Sequence, residues 1–301
     1  MLNLNSSPSI RNMKTILRKI SDLYWAKRLH WCHNNWRGPP DMLALISIAR
    51  SGSTFLCELL HHHPEIYSCR EIFHRKTVHC REPARTASHL NKLCSTSFSG
   101  AADPAFVEFT HTRSLQFLAA LRSLADGRVL SFKVFPNHLT RRQLRNLLIS
   151  DRRVVKLLFK RDLLAAYVSR KKALSTNVWA RLDTTEIRVS LDANEFRDYV
   201  KRTTYWFDSV EYLLKASGQK YATIHYENLV SIVGDNARLA YIVDQLRLTG
   251  IIVSSLDDAG VKEIQVGMMK QDRSPSLESK VENLPVFYGG LRRLGMANFI
   301  R

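Results

Sequence analysis

The sequence predicts an α/β fold: a three-layer sandwich with a central parallel sheet. Three observations predict it. Short apolar, β-branched runs alternate along the chain with stretches of helical periodicity, the pattern of strands joined by helical crossovers. The run Leu43–Ala49 stops abruptly at Arg50-Ser51-Gly52-Ser53-Thr54, and a helical pattern starts at once. A second apolar run, Val154–Phe159, stops in the same way at Lys160-Arg161-Asp162, again followed by a helix.

Residues 1–40 read as a basic N-terminal extension and 41–301 as the main domain. In the extension, Ile10, Met13, Leu17, Ile20 and Tyr24 recur at helical spacing among Arg11, Lys14, Arg18 and Lys19. Such a helix either packs on the main domain or, with Trp25 and Trp31 at its end, touches a membrane surface along residues 10–31. Trp36-Arg37-Gly38-Pro39-Pro40 breaks the pattern.

The core elements then follow in order. Leu43–Ala49 is a strand and Thr54–His61 a helix, ended by a polar His61-His62-His63-Pro64 stop. Ile66–Glu71 is a short extended segment. Residues 74–104 are rich in Arg, His, Ser and Cys with little periodicity, which is long for a structureless loop and points to a lid or acceptor-binding segment. Ser114–Leu124 is helical, Val129–Phe135 a strand carrying Lys133, and Arg141–Leu148 helical. Val154–Phe159 is a buried strand, and Leu163–Leu174 a helix with Asp162 as its N-cap. Ala193–Lys215 is a long helix closed by Ser217-Gly218. Tyr221–Tyr226 is a strand and Ala237–Leu246 a helix.

The chain has 301 residues, 45% of them hydrophobic, and a formal net charge of +18. That charge calls for an anionic ligand, partner or surface. Lys and Arg are spread along the chain with no long basic run, RNA-binding signature or zinc-finger spacing, so no specific nucleic-acid partner is expected. No stretch matches a membrane span or a signal peptide. Five cysteines, an odd number without framework spacing, read as reduced thiols in a cytoplasmic protein. Cys69, Cys80 and Cys94 lie near His74, His79 and His89, yet no C-x-x-C or H-x-x-x-H pair supports a metal site, and none is expected.

The turn Arg50–Thr54 has the composition of an anion cradle. The first amides of the following helix have no intrahelical partner, and the helix dipole favours negative charge there. Ser51, Ser53 and Thr54 add hydroxyls, Gly52 allows a tight turn, and Arg50 adds a forked cation. The nucleotide signature G-x-x-x-x-G-K-[ST] is missing its Lys, and G-x-G-x-x-G is absent. A second anion site is marked by Arg161 at the end of the strand 154–159, with Ser169 eight positions on, two turns along the helix.

These two motifs, in this order, resemble those of sulfotransferases that use PAPS (3′-phosphoadenosine 5′-phosphosulfate). Arg-Ser-Gly-Ser-Thr is most similar to the bacterial carbohydrate branch that includes the trehalose 2-sulfotransferase and Nod-factor types. Glu71-Ile72-Phe73, Ser131-Phe132-Lys133, Val178-Trp179-Ala180-Arg181, Tyr226-Glu227-Asn228-Leu229 and Lys270-Gln271-x-Arg273 resemble further family segments over roughly residues 43–290. The resemblance implies a P-loop-NTPase-like sulfotransferase fold. It implies that Arg50, Ser51, Gly52, Ser53 and Thr54 hold the 5′-phosphosulfate, that Arg161 and Ser169 hold the 3′-phosphate, and that Lys270, Gln271 and Arg273 close over the nucleotide. It makes Glu71 the base for an acceptor hydroxyl, with His74 as the alternative, and Arg50 and Lys133 the cations facing the leaving phosphate. Tyr167, Trp179 and Phe73 either stack on a ring or belong to the core. The acceptor implied is a carbohydrate or lipid-linked glycan, met in the cytoplasm or at the inner membrane face. A P-loop-type nucleotide kinase and a non-catalytic polyanion binder are the rival readings.

Overall fold

A computed structural model of the chain describes residues 38–179, 183–267, 272 and 276–300. The expected helix at 10–31, the segment around Arg181, and Lys270, Gln271 and Arg273 lie outside the described residues.

Five strands form one parallel sheet: β1 Met42–Ile46, β2 Ile66–Ser68, β3 Val129–Val134, β4 Val154–Lys160 and β5 Tyr221–His225, in the order β2-β3-β1-β4-β5. In sequence order the helices are α1 Ser53–His61, α2 Pro83–Cys94, α3 Pro104–Thr112, α4 Ser114–Ala125, α5 Leu163–Thr176, α6 Ala193–Ala216, α7 Tyr226–Ser231, α8 Asp235–Arg247 and α9 Leu284–Arg293. They cover both faces of the sheet, which makes the three layers. β1 shows how the sequence builds them: Met42, Ala44 and Ile46 point into the core shared with α3 and α4, while Leu43 and Leu45 point into the core shared with α1 and α8. Both faces of the central strand are apolar, as a sheet covered on two sides requires. A third apolar cluster joins α5, α6 and α9 around Tyr167, Phe196 and Phe287.

Strand order creates the site. From β1 the chain goes to the far edge as β2, returns to fill the place between as β3, then crosses to the other side of β1 to form β4 and β5. The direction of winding therefore reverses between the neighbours β1 and β4, and open α/β sheets bind ligands outside the carboxyl ends of the strands at such a point. The registers Ile46↔Val134 and Ile46↔Leu158 bring the ends of β3 and β1 level, with β4 running on to Lys160 beside the loop that follows β1.

Several elements differ from expectation. β1 stops at Ile46 rather than Ala49, because Arg50 sits at φ 66 and Gly52 at φ 86, a backbone no strand continues through. β2 ends at Ser68, three residues before Glu71. Residues 141–148 are a single helical turn followed by a π-helix, Leu144–Ile149; the wider turn brings Ile149 to the buried side with Leu144 and Leu148. The region 74–104 is not one long loop: it holds α2, whose inward stripe is only Thr86, Ala87 and Leu90. Proline in the first turn of α2, α3 and α9 is the local signal that marks these unexpected helices. No helix among the described residues is long and apolar enough to cross a membrane.

Candidate anion-binding site

The loop after β1 is built by hydroxyls turned inward. Ser47 donates to the carbonyl of Phe159 on β4 at 2.6 Å, and its Oγ lies 2.8 Å from that of Ser51. Ser51 Oγ in turn accepts from the Ser53 amide at 3.3 Å, at the start of α1. Ser51 is fully buried and Ser53 nearly so, so these two side chains shape the turn from within. Gly52 is the N-cap of α1 with no side-chain cap, so beyond the Ser53 amide held by Ser51 the amides of the first turn face an external acceptor. A Cβ at Gly52 would lie 2.5 Å from the Tyr226 ring, so glycine is required both by its φ and by that contact.

The loop after β4 meets the first one directly. Arg161 Nη1 donates to the Arg50 carbonyl at 2.7 Å, and its guanidinium lies over the Tyr226 ring, 4.4 Å from the centroid. Arg161 Nε is buried with no acceptor among the described residues. Asp162 caps α5 by accepting from the Ala165 amide at 2.7 Å, and its own amide donates to Glu227 at 3.0 Å. Arg50 reaches across to this second loop: its Nε donates to Ser169 Oγ at 3.0 Å, and its Nη1 donates to the Trp179 carbonyl. Burial, then the nearby charge of Arg161, lowers the Arg50 pKa. Two guanidinium groups are held close enough to repel, which an anion between them would relieve.

Lys133 and Glu71 form the third corner. The β2–β3 pairing continues past β2, with the Lys133 amide donating to the Arg70 carbonyl at 2.9 Å, so Glu71 comes to rest beside Lys133. Lys133 pairs in register with Leu45 and faces the same side of the sheet, toward α1. Its ammonium, 1% exposed, donates to Thr54 Oγ1 at 3.0 Å and stands 3.2 Å from Glu71 Oε1. His138 completes the arrangement. Its Nδ1 accepts from the Phe135 amide at 3.2 Å, which leaves the proton on Nε2, 3.6 Å from Glu71 Oε2. Burial pushes the Glu71 carboxyl up, but the hydrogen bond from His138 and the Lys133 charge outweigh it and bring its pKa down to about 2. Glu71 is therefore ionised at neutral pH.

The structure thus brings Arg50, Gly52, Thr54, Glu71, Lys133, Arg161 and Ser169 to one edge of the sheet, with Ser51 and Ser53 beneath the turn. His74 stands beside them, its ring 6.1 Å from that of His138. The aromatic residues divide. Phe73 packs on Phe117 and Phe132, and Tyr167 on Phe196 and Tyr199, so both are core and neither is placed to stack on a ligand. Trp179 is 47% exposed. One contributor carries no signal in the sequence: His138, whose role depends on a backbone bond three residues away. Tyr226, which the sequence marks only as part of a family-like segment, supports both Gly52 and Arg161 with its ring. Among the described residues no group of His, Cys, Asp and Glu is arranged to hold a metal ion.

No family model and no curated protein matches the chain. Among solved structures, it is similar to a sulfotransferase domain from the curacin biosynthetic pathway (TM-score 0.46, 14% identity, covering 81% of this chain and 83% of that one). It is also similar to a sulfotransferase domain from the Synechococcus PCC 7002 olefin synthase (TM-score 0.42, 18% identity, covering 73% and 77%). Likeness this distant transfers no activity, and the site is read from its own residues.

Proposed function

We propose that this chain is a PAPS-dependent sulfotransferase acting on a hydroxyl of a carbohydrate or glycolipid. The observation that carries the reading is the contact between the two strand-end loops, Arg161 to the Arg50 carbonyl at 2.7 Å, at the reversal point of the sheet. Uncapped helix amides on one side and Arg161 with Ser169 on the other suit a nucleotide that is anionic at both its 3′ and 5′ positions.

PAPS supplies a sulfuryl group activated by its bond to a phosphate oxygen. Glu71 takes the proton of the acceptor hydroxyl as that oxygen bonds to sulfur. The bond from sulfur to the phosphate oxygen breaks, and its electron pair leaves on adenosine 3′,5′-bisphosphate. Lys133 and the α1 amides face the charge that develops on the departing oxygen. A carboxylate with a pKa of about 2 is a weak base at rest. When Lys133 shares its charge with an incoming anion, its hold on Glu71 loosens and Glu71 becomes more basic.

The test is thermal unfolding with adenosine 3′,5′-bisphosphate against ATP with Mg²⁺. Greater stabilisation by the bisphosphate is expected. Greater stabilisation by ATP with Mg²⁺ would favour the kinase reading, and no response to either nucleotide would remove the donor site.

A further inference from the structure

Beside the anion site lies a cleft of ≈ 340 Å³ that the reading above does not use. Its size is within the range of small-molecule sites. One wall is the α1 face carrying Cys57, Glu58 and His61, and the other is the chain just past β2, including Arg70. Its roof includes His79 and Arg81.

Three observations connect this cleft to the site. Glu58 follows Thr54 by one turn on the same face of α1, so the helix leads from the amide cradle into the cleft. The Arg70 amide donates to the His79 carbonyl at 3.0 Å and the His79 amide to the Glu71 carbonyl at 3.3 Å, so the backbone carrying Glu71 is stitched to the roof. The Cys57 thiol, in the wall, feels the charges of Lys133 and Glu71 as well as those of Glu58 and Arg70.

The charges in the cleft do not cancel. Arg70 is matched by Glu58 at 2.5 Å. Burial, then the charge of Arg81, lowers the His61 pKa, and the neutral ring accepts from Arg81 Nη2 at 3.2 Å. Burial likewise lowers His79. No carboxylate pairs with Arg81 among the described residues. Arg81 is exposed at the mouth of the cleft and lies over the Tyr67 ring, 5.5 Å from its centroid. It keeps a guanidinium charge that no carboxylate there balances, two residues along from His79, whose amide bonds to the Glu71 carbonyl.

We propose that this cleft is the acceptor subsite and that Arg81 selects a sugar bearing an anionic group, a carboxylate or a phosphate. The proposal rests on the sulfotransferase reading. A guanidinium binds either group through paired, charge-assisted hydrogen bonds, and a neutral sugar offers nothing equivalent.

The experiment is calorimetric titration of the full chain saturated with adenosine 3′,5′-bisphosphate. The probes are p-nitrophenyl β-D-glucuronide, glucose 6-phosphate and the neutral p-nitrophenyl β-D-glucoside. At least one anionic sugar should bind about tenfold or more tightly than the glucoside, the difference a charge-assisted hydrogen bond supplies. Preference for the glucuronide alone would identify a carboxylate, and preference for the phosphate alone a phosphate. Arg81→Gln should abolish the preference, and Arg81→Lys should keep part of it, while both variants bind the bisphosphate as the parent does. Equal affinity for charged and neutral sugars, no sugar binding, or a preference untouched in Arg81→Gln would each overturn the acceptor claim. Failure of the parent to bind the bisphosphate would instead overturn the donor reading on which it rests.

Discussion

The guanidinium of Arg161 donates to the carbonyl of Arg50 at 2.7 Å, joining residues 111 positions apart in the chain. Arg50 holds a left-handed backbone, φ 66, which costs a non-glycine residue about 1–2 kcal/mol. That conformation is sustained by bonds at both ends of the residue: its carbonyl accepts from Arg161, and its side chain donates to Ser169 and Trp179. The two loops are therefore one structural unit, and a change in either is felt in both.

Arg161→Ala is expected to abolish the stabilisation that adenosine 3′,5′-bisphosphate gives the parent. At 100 times its dissociation constant, a ligand that binds only the folded state contributes about 2.7 kcal/mol. Thermal unfolding across a bisphosphate titration measures this. A variant that keeps the parent's full response would show that residue 161 takes no part in binding.

Gly52→Ala is expected to lower stability by about 1–3 kcal/mol through its backbone conformation alone, with the Tyr226 contact adding to the loss. Combining it with Tyr226→Ala should recover the steric share and leave the backbone share. Urea denaturation of the two single variants and the double variant separates the two. Additive losses in the double variant would show that Tyr226 does not press on residue 52.

Glu71→Gln is expected to lower kcat by about 10²–10⁴ in sulfate transfer from PAPS, the usual contribution of a positioned base. The same substitution has a signature in stability. Glu71 is depressed from 4.5 to about 2 in the folded chain. A depressed carboxyl contributes stability that is present above its unfolded pKa and lost as pH falls through its folded pKa. The parent should therefore lose stability between about pH 5 and pH 2 through this group, and Glu71→Gln should lose less over that window. Parallel acid limbs in the two proteins would refute the depressed carboxyl.

Lys133→Met strands the Glu71 carboxylate, and Glu71→Gln strands the Lys133 ammonium. Each single change should be costly because the remaining charge is largely buried. The double variant should lose less than the sum of the two, by about 1–3 kcal/mol of coupling. Chemical denaturation of the four proteins in this cycle gives the number, and strict additivity would mean the pair does not interact.

Much of this was legible along the chain. The strands at 129, 154 and 221 are apolar or β-branched runs interrupted only by Ser131, Lys133 and Lys156, and their pattern reads without a structure. Arg50–Thr54 and Arg161 stand out because strong local composition changes mark the ends of such runs. Helix α2 was hidden because only three of its residues face inward. Phe73 and Tyr167 were ambiguous because a large aromatic residue has the same local signature in a core as at a ligand. His138 was invisible: its tautomer is set by the Phe135 amide and its target is Glu71, far away in sequence.

The sequence by itself determined the alternation of strands and helices, the two basic turns at strand ends and the excess of positive charge, since each depends on residues close together in the chain. Only the tertiary structure decided that those turns touch, that Lys133 stands between Thr54 and Glu71, and that Ser51 faces inward. These depend on strand order and register, which bring residues from about sixty to 111 positions apart together at the carboxyl ends of the strands, and local periodicity carries no record of that distance.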